Sequence, residues 1–238
     1  MLAGINAQAM RAPITGISSM ATRQVLAELT AAYEQRTGQR VAIESVGGVD
    51  AARRLEDDEV FDIVVLAADA IERLVVAGCV EPASRVGLAR SGIAVAVAAG
   101  AAHPDIATEA ALRDAILAAG SIGYSTGPSG TYLLKLFDRW GIAEQIASRI
   151  VKAPPGVPVA TLVASGEVAL GFQQMSELIH VPGIDVLGEL PAAVQSTTTF
   201  TAAICTATSQ REAARALLAF LASPEADDAK LKNGMSPA

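Results

Sequence analysis

Three short segments place hydroxyl and glycine residues directly ahead of a helical pattern, the arrangement that binds oxygen-rich anions. They are Gly16-Ile17-Ser18-Ser19-Met20, Ser45-Val46-Gly47-Gly48-Val49-Asp50 and Tyr124-Ser125-Thr126-Gly127-Pro128-Ser129-Gly130-Thr131-Tyr132. A helix start carries unpaired N–H groups and about half a positive charge. Serine and threonine hydroxyls add donors, and glycine lets a ligand approach the backbone. Any one segment alone reads as a simple cap; three in series favour convergence on one anion. In a fourth segment, Gln173 and Gln174 follow an aliphatic run. Open α/β sheets hold ligands at such carboxyl ends of strands, though a water-facing strand end accounts for two amides equally well. Glu44, Asp69, Glu177 and His180 are the conceivable acid/base groups, each also readable as a surface or cap residue. Arg23, Arg53 and Arg54 follow helix starts and could meet a carboxylate, but solvated helix faces explain them better.

Composition excludes several other chemistries. The chain has 238 residues with a formal net charge of -7, which opposes nucleic acid as a partner. Any anion must therefore be held by local dipoles against the global field. Cys79 and Cys205 lack metal or redox spacing and read as two buried small hydrophobes. With only two histidines, His103 and His180, a structural zinc site is not expected. Gly47-Gly48 belongs to no dinucleotide or phosphate-loop motif, no GxSxG elbow occurs, and no cofactor is expected. No apolar run reaches the roughly 20 residues that cross a bilayer, so no membrane insertion is expected. The N-terminal stretch lacks the basic head and apolar run of a secretory signal. The expected location is cytoplasmic for the chain as it stands, or periplasmic if a signal has been removed.

The elements that must position these residues follow from periodicity. Helices are expected at 20–36, 50–55, 69–77, 108–119, 130–140, 159–165 and 211–221, with a last one from Pro224. Strands are expected at 40–46, 62–66, 92–98, 121–124, 168–172 and 197–206. Residues 16–19 read as a loop, and Pro154-Pro155-Gly156 as a turn. Strands alternating with helices imply parallel sheets covered on both faces. Half of the residues are hydrophobic and only 4% are aromatic, so aliphatic packing suits this layering.

At these residues the chain resembles the type II periplasmic binding proteins, in the branch of molybdate-binding receptors that also includes aconitate isomerase. The resemblance runs from Gly16 to Ala238. It is carried by the serine pair at 18–19, the Gly47-Gly48 turn, the segment DIVVLAADAIERL and the ending ALLAFLASPEADDAKLKNGMSPA. It implies a two-lobed α/β fold with a ligand cleft between the lobes. One lobe would comprise 1–95 with 201–238, the other 96–200. It also implies ligand contacts at Ser18, Ser19, Gly47, Gly48, Ser129, Gly130, Thr131 and the Val157-Pro158-Val159 loop. Gln173 and Gln174 join this set from their place after the strand, where molybdate receptors usually carry a tyrosine. Together with the full SIGYSTGPSGTYLLKLF loop, these amides suit a di- or tricarboxylate better than a compact tetrahedral oxyanion.

The leading expectation is a solute-binding protein that closes over a small anion and serves an ABC permease. The alternative is a cofactor-independent isomerase moving a proton along an allylic tricarboxylate, which needs one acid/base group in the cleft. A cytoplasmic ligand sensor ranks third, and no docking surface for a partner is marked in the sequence.

Overall fold

The computed structural model describes residues 12–154 and 156–238, so the N-terminal stretch read for a signal and Pro155 of the expected turn lie outside the described residues. Strand β1 (Ile14–Ser19) runs through a 3-10 turn (Met20–Thr22) into α1 (Arg23–Thr37). Then follow β2 (Val41–Val46), α2 (Gly48–Glu56), β3 (Ile63–Ala67), α3 (Ala68–Val76) and the long β4 (Val86–Ala98). Next come α4 (Glu109–Ala118), β5 (Ile122–Tyr124), α5 (Pro128–Arg139), α6 (Ala143–Ile146), β6 (Ile150–Lys152) and α7 (Val159–Ala164). The chain finishes with β7 (Leu170–Gln174), α8 (Met175–Leu178), β8 (Ile184–Glu189), β9 (Thr197–Ile204), α9 (Arg211–Leu221), α10 (Asp227–Lys232) and β10 (Ser236–Pro237).

The strands form two half-sheets that share β4. In order, β2-β1-β3-β9-β4 make the first and β4-β7-β5-β6 the second, with β8 and β10 also pairing on β4. The pairing of β4 changes between Gly92, which faces Thr197 of β9, and Ile93, which faces Gln174 of β7. The chain returns to the first half-sheet at Thr197. The expected crossings lie near 92–99 and 196–201, with the lobes divided at 95/96 and 200/201. Strand register fixes the actual partner change, and an aliphatic run that continues through both sheets does not display it.

Hydrophobic packing divides at the same place. Ile63 and Val65 face a core built with α1 and α9, while Val64 and Leu66 face one built with α2 and α3. This alternation follows the period of two along a strand and gives two apolar faces to cover. Leu88 and Ala89 of β4 belong to the first of these cores. Ile93, Val95 and Val97 instead pack with α4, α5 and α6 around Phe137 and Phe172. Ala94 and Ala96 face the opposite way, toward Ala160 of α7 and Leu178 of α8. Each half therefore has its own α/β core, and the fold is a two-lobed α/β type.

Three local expectations are corrected. Residues 14–19 form a strand, not a loop, because β1 pairs in parallel with both β2 and β3 across Ser18. The sheets are mixed: β9 runs antiparallel to β3 and β4, and β4 antiparallel to β7 and β8. The residues before Gly92 extend β4 back to Val86 despite a glycine, an arginine and a serine, since backbone pairing with β9 outweighs their weak strand preference. Cys79 and Cys205 are both free thiols, and burial pushes the Cys205 thiol up to about 12.

Gln174 fastens the switch in β4. With its amide oriented to satisfy both ends, Nε2 donates to the Ser91 and Gly92 carbonyls at 2.9 and 3.2 Å, and Oε1 accepts from Thr198 Oγ1 at 2.9 Å. Its side chain is 2% exposed, so removing it leaves buried partners unsatisfied. Gln174→Ala should lower the unfolding free energy by about 1–3 kcal/mol, read from urea denaturation. A change within error would show that the switch does not need this amide.

Candidate functional site

Each half-sheet ends its parallel strands along one edge. In the first lobe β1, β2 and β3 finish at Ser19, Val46 and Ala67, followed by the 3-10 turn, α2 and α3. In the second β5, β6 and β7 finish at Tyr124, Lys152 and Gln174, followed by α5, α7 and α8. Helix α8 packs against the 3-10 turn that follows Ser19, so the two carboxyl edges meet at that point.

The structure groups the sequence candidates into two sets along these edges. In the first lobe, Ser18 Oγ lies 2.8 Å from Ser45 Oγ and is fully buried. Ser19 Oγ accepts from Ala21 N at 3.3 Å, capping the 3-10 turn. An added Cβ at Gly48 would lie 4.0 Å from Ser19 Oγ, and nothing lies within 4 Å of the corresponding point on Gly47. The backbone of this turn therefore stands open beside a hydroxyl.

In the second lobe, Ser125 and Ser129 place their hydroxyls 3.4 Å apart at the start of α5. Gly130 is required there, because a Cβ would be driven into the Ser125 carbonyl oxygen. Thr131 is exposed and turns its hydroxyl back to the Gly127 carbonyl at 3.3 Å. Tyr132 donates to the Val194 carbonyl at 2.9 Å. Val157 and Pro158 are half-buried ahead of α7, and the Val159 N–H donates to Gln173 Oε1 at 3.0 Å.

Helices α2 and α5 both begin without a side-chain cap, after Gly47 and Gly127. Helix α4, which does not follow a strand of these edges, is capped by Thr108. Every other α-helix among the described residues also begins without a side-chain cap, so the starts of α2 and α5 differ from them only in position and in the glycine ahead of each. Asp50, in the first turn of α2, pairs with Arg53.

The two glutamines do not present free amides. Gln174 serves the β4 switch, and Gln173, 2% exposed, has both amide atoms engaged. Its oxygen accepts from Val159 N, and its Nε2 donates to Glu177 Oε1 at 2.8 Å. Among the acid/base candidates, Glu44 is bound by Arg54 at 2.7 and 2.9 Å, and Asp69 pairs with Arg73 at 3.1 Å. The Arg54 guanidinium holds the Glu44 carboxyl below its ordinary value. His180 is exposed at the end of α8.

Glu177 differs from all of these. It lies on α8, opposite the Met175 and Ile179 side chains that meet Gly234. Burial pushes its carboxyl up to about 7, offset in part by the Gln173 amide and the Gln174 backbone N–H. Its side chain keeps part of its surface open. The sequence offered Glu177 only as one of four acid/base candidates; its position after two amides at a strand end was the available signal.

A model of the bacterial extracellular solute-binding protein family matches residues 14–236. The chain belongs to this family. An aconitate isomerase of a Pseudomonas species is 38% identical over 230 residues, covering 94% of this chain and 87% of that one. Among solved structures, the periplasmic molybdate-binding protein of Azotobacter vinelandii superposes with a TM-score of 0.79 at 19% identity, over 93% of this chain and 98% of that one. The sulfate-binding protein of Mycobacterium tuberculosis gives 0.77 at 18% identity, over 96% and 88%. These two likenesses establish the type II periplasmic-binding fold.

The raised Glu177 carboxyl makes stability pH-dependent with a defined sign. The folded protein keeps this proton up to about pH 7, whereas the unfolded chain releases it near the ordinary 4.5. Over that window unfolding releases a proton, so stability falls as pH rises. Glu177→Gln abolishes the fall. The variant should be more stable than the parent at pH 8 by on the order of 1–3 kcal/mol, the lower end being favoured by the partial exposure. The gain should vanish below about pH 4.5, as read from melting temperatures at both pH values.

Proposed function

We propose that this protein binds a small polycarboxylate where the carboxyl edges of its two lobes meet. The observation that carries this reading is the pair of uncapped helix starts, α2 after Gly47-Gly48 and α5 after Gly127, each beside serine hydroxyls. Donors of this kind hold carboxylate oxygens by backbone dipoles without a cation, and they lie on two separate lobes. A ligand with carboxyl groups at both ends would engage both. The expected contacts are Ser19, Gly47 and Gly48 from the first lobe, with Ser129, Gly130, Thr131 and the 157–159 loop from the second. Ser18 acts from behind through Ser45. Gln173 and Gln174 support the site without touching ligand. Hinge closure about the β4 switch, between a lobe of 1–95 with 201–238 and a lobe of 96–200, would shut the ligand from water.

Isomerisation of such a ligand is the second reading. The 38% identical aconitate isomerase favours it, because that likeness spans nearly the whole of both chains. Delivery to an ABC permease, in a periplasmic setting, remains the reading that follows from the solute-binding family.

A thermal-shift series separates the ligand classes. Citrate, cis-aconitate or trans-aconitate should raise the melting temperature more than molybdate, tungstate or sulfate. A ligand at about a hundred times its dissociation constant adds about 2.7 kcal/mol, a shift of several degrees. A larger shift with molybdate or tungstate would return the site to compact oxyanions.

A further inference from the structure

We propose that Glu177 is the proton-transferring residue of this site, taking a proton from one end of an allylic polycarboxylate and returning it to the other. The inference rests on the polycarboxylate reading above.

The surroundings of Glu177 set it apart from a structural carboxylate. Glu44, Asp69 and Asp50 each pair with an arginine on helix or strand surfaces. Glu177 is held by an amide and a backbone N–H. Helix α8 packs against β4, β7, β8 and the 3-10 turn, and no charged side chain on these elements contributes to its shift. A carboxyl in such a place is kept near the point of half-ionisation, where it accepts and returns a proton with comparable ease near neutral pH. Its location adds the geometry: α8 follows the carboxyl end of β7 and touches the turn after Ser19, where the two edges meet.

Orientation is fixed from behind. The Val159 N–H holds Gln173 Oε1, which leaves Gln173 Nε2 to face Glu177 Oε1. The Gln173 amide and the Gln174 backbone N–H thus hold the carboxyl in place, and the partly open surface of the side chain is where a substrate hydrogen would be met. Gln173 is a positioning residue.

The step balances without a cofactor. The Glu177 carboxylate removes a proton from the saturated carbon beside the double bond. The C–H electron pair forms the new C=C, and the former π pair moves through the allylic unit onto a substrate carboxylate as an enediolate. The open helix starts of α2 or α5 would stabilise that charge. The pair then returns to the distal carbon, which takes the proton back from Glu177. Carboxylate and allylic acid are both restored, with the double bond moved by one position.

The test uses the full chain with cis- and trans-aconitate as probes, following binding by thermal shift, interconversion by chromatography and deuterium uptake from heavy water by mass spectrometry. The parent protein should bind, interconvert the isomers and introduce deuterium, with turnover rising as pH increases through about 7. Glu177→Gln should bind at least as tightly at pH 8, because a negative charge is removed from beside an anion, and should lose turnover by roughly a hundredfold or more. Glu177→Asp should retain partial turnover. Gln173→Ala should lower kcat more than it alters KM and should displace the pH midpoint. Turnover by Glu177→Gln within about tenfold of the parent would overturn the assignment, as would a parent that binds yet neither converts nor exchanges. A parent that binds neither isomer would overturn the polycarboxylate reading itself, and the assignment with it.

Discussion

Successive residues of a strand point to opposite faces, and at the end of β7 that alternation distributes two adjacent glutamines to two different tasks. Gln174 turns toward β4 and β9 and bonds Ser91, Gly92 and Thr198, at the point where the shared strand changes sheets. Gln173 turns the other way and connects the first N–H of α7 to Glu177. Both side chains are buried, so neither task can fail without leaving unpaired polar atoms in the interior. The geometry of the junction between lobes and the geometry of the one neutral-pH carboxyl are consequently fixed by a single dipeptide.

The electrostatics follow from the same economy of means. A chain with a net charge of -7 gains nothing from its overall field when it meets an anion. Attraction would have to come from oriented backbone, as where a short glycine-containing turn leads β2 into α2 or β5 into α5. The serines behind these turns face one another in pairs, Ser18 with Ser45 and Ser125 with Ser129. They stiffen the turns more than they reach out of them. A rigid set of dipoles is worth more to an anion than mobile charges, since it need not reorganise when the ligand arrives.

Much of this was legible in the sequence, and the limits have physical causes. The buried strand at 62–66, the amphipathic helix at 211–221 and the Thr108 cap announce themselves through local pattern. Strand β1 was hidden because Gly16, Ser18 and Ser19 have weak strand preference, and only pairing with β2 and β3 makes them extended. Strand β8 carries Gly188 at a φ of 134°, which masks its alternation. Hydroxyls and glycines mark the turns at 18–19, 47–48 and 125–131, since a turn type dictates its residues locally. The direction in which each polar atom points depends on partners far away in the chain. Val159 and Thr198 determine what Gln173 and Gln174 do, and no local motif encodes them.

The order of strands in the first half-sheet has a consequence for how the chain is made. Strand β9 sits between β3 and β4, so both present unpaired edges toward a gap until residues 197–204 have been synthesised. The second lobe, built from chain that lies between, can assemble its own core earlier. The nascent protein would then carry a folded second lobe beside an incomplete first lobe whose strand edges are open, a state exposed to pairing with another copy. Completion of the molecule waits on an insertion event, in which the late strand zips into the middle of an existing sheet instead of adding to its rim.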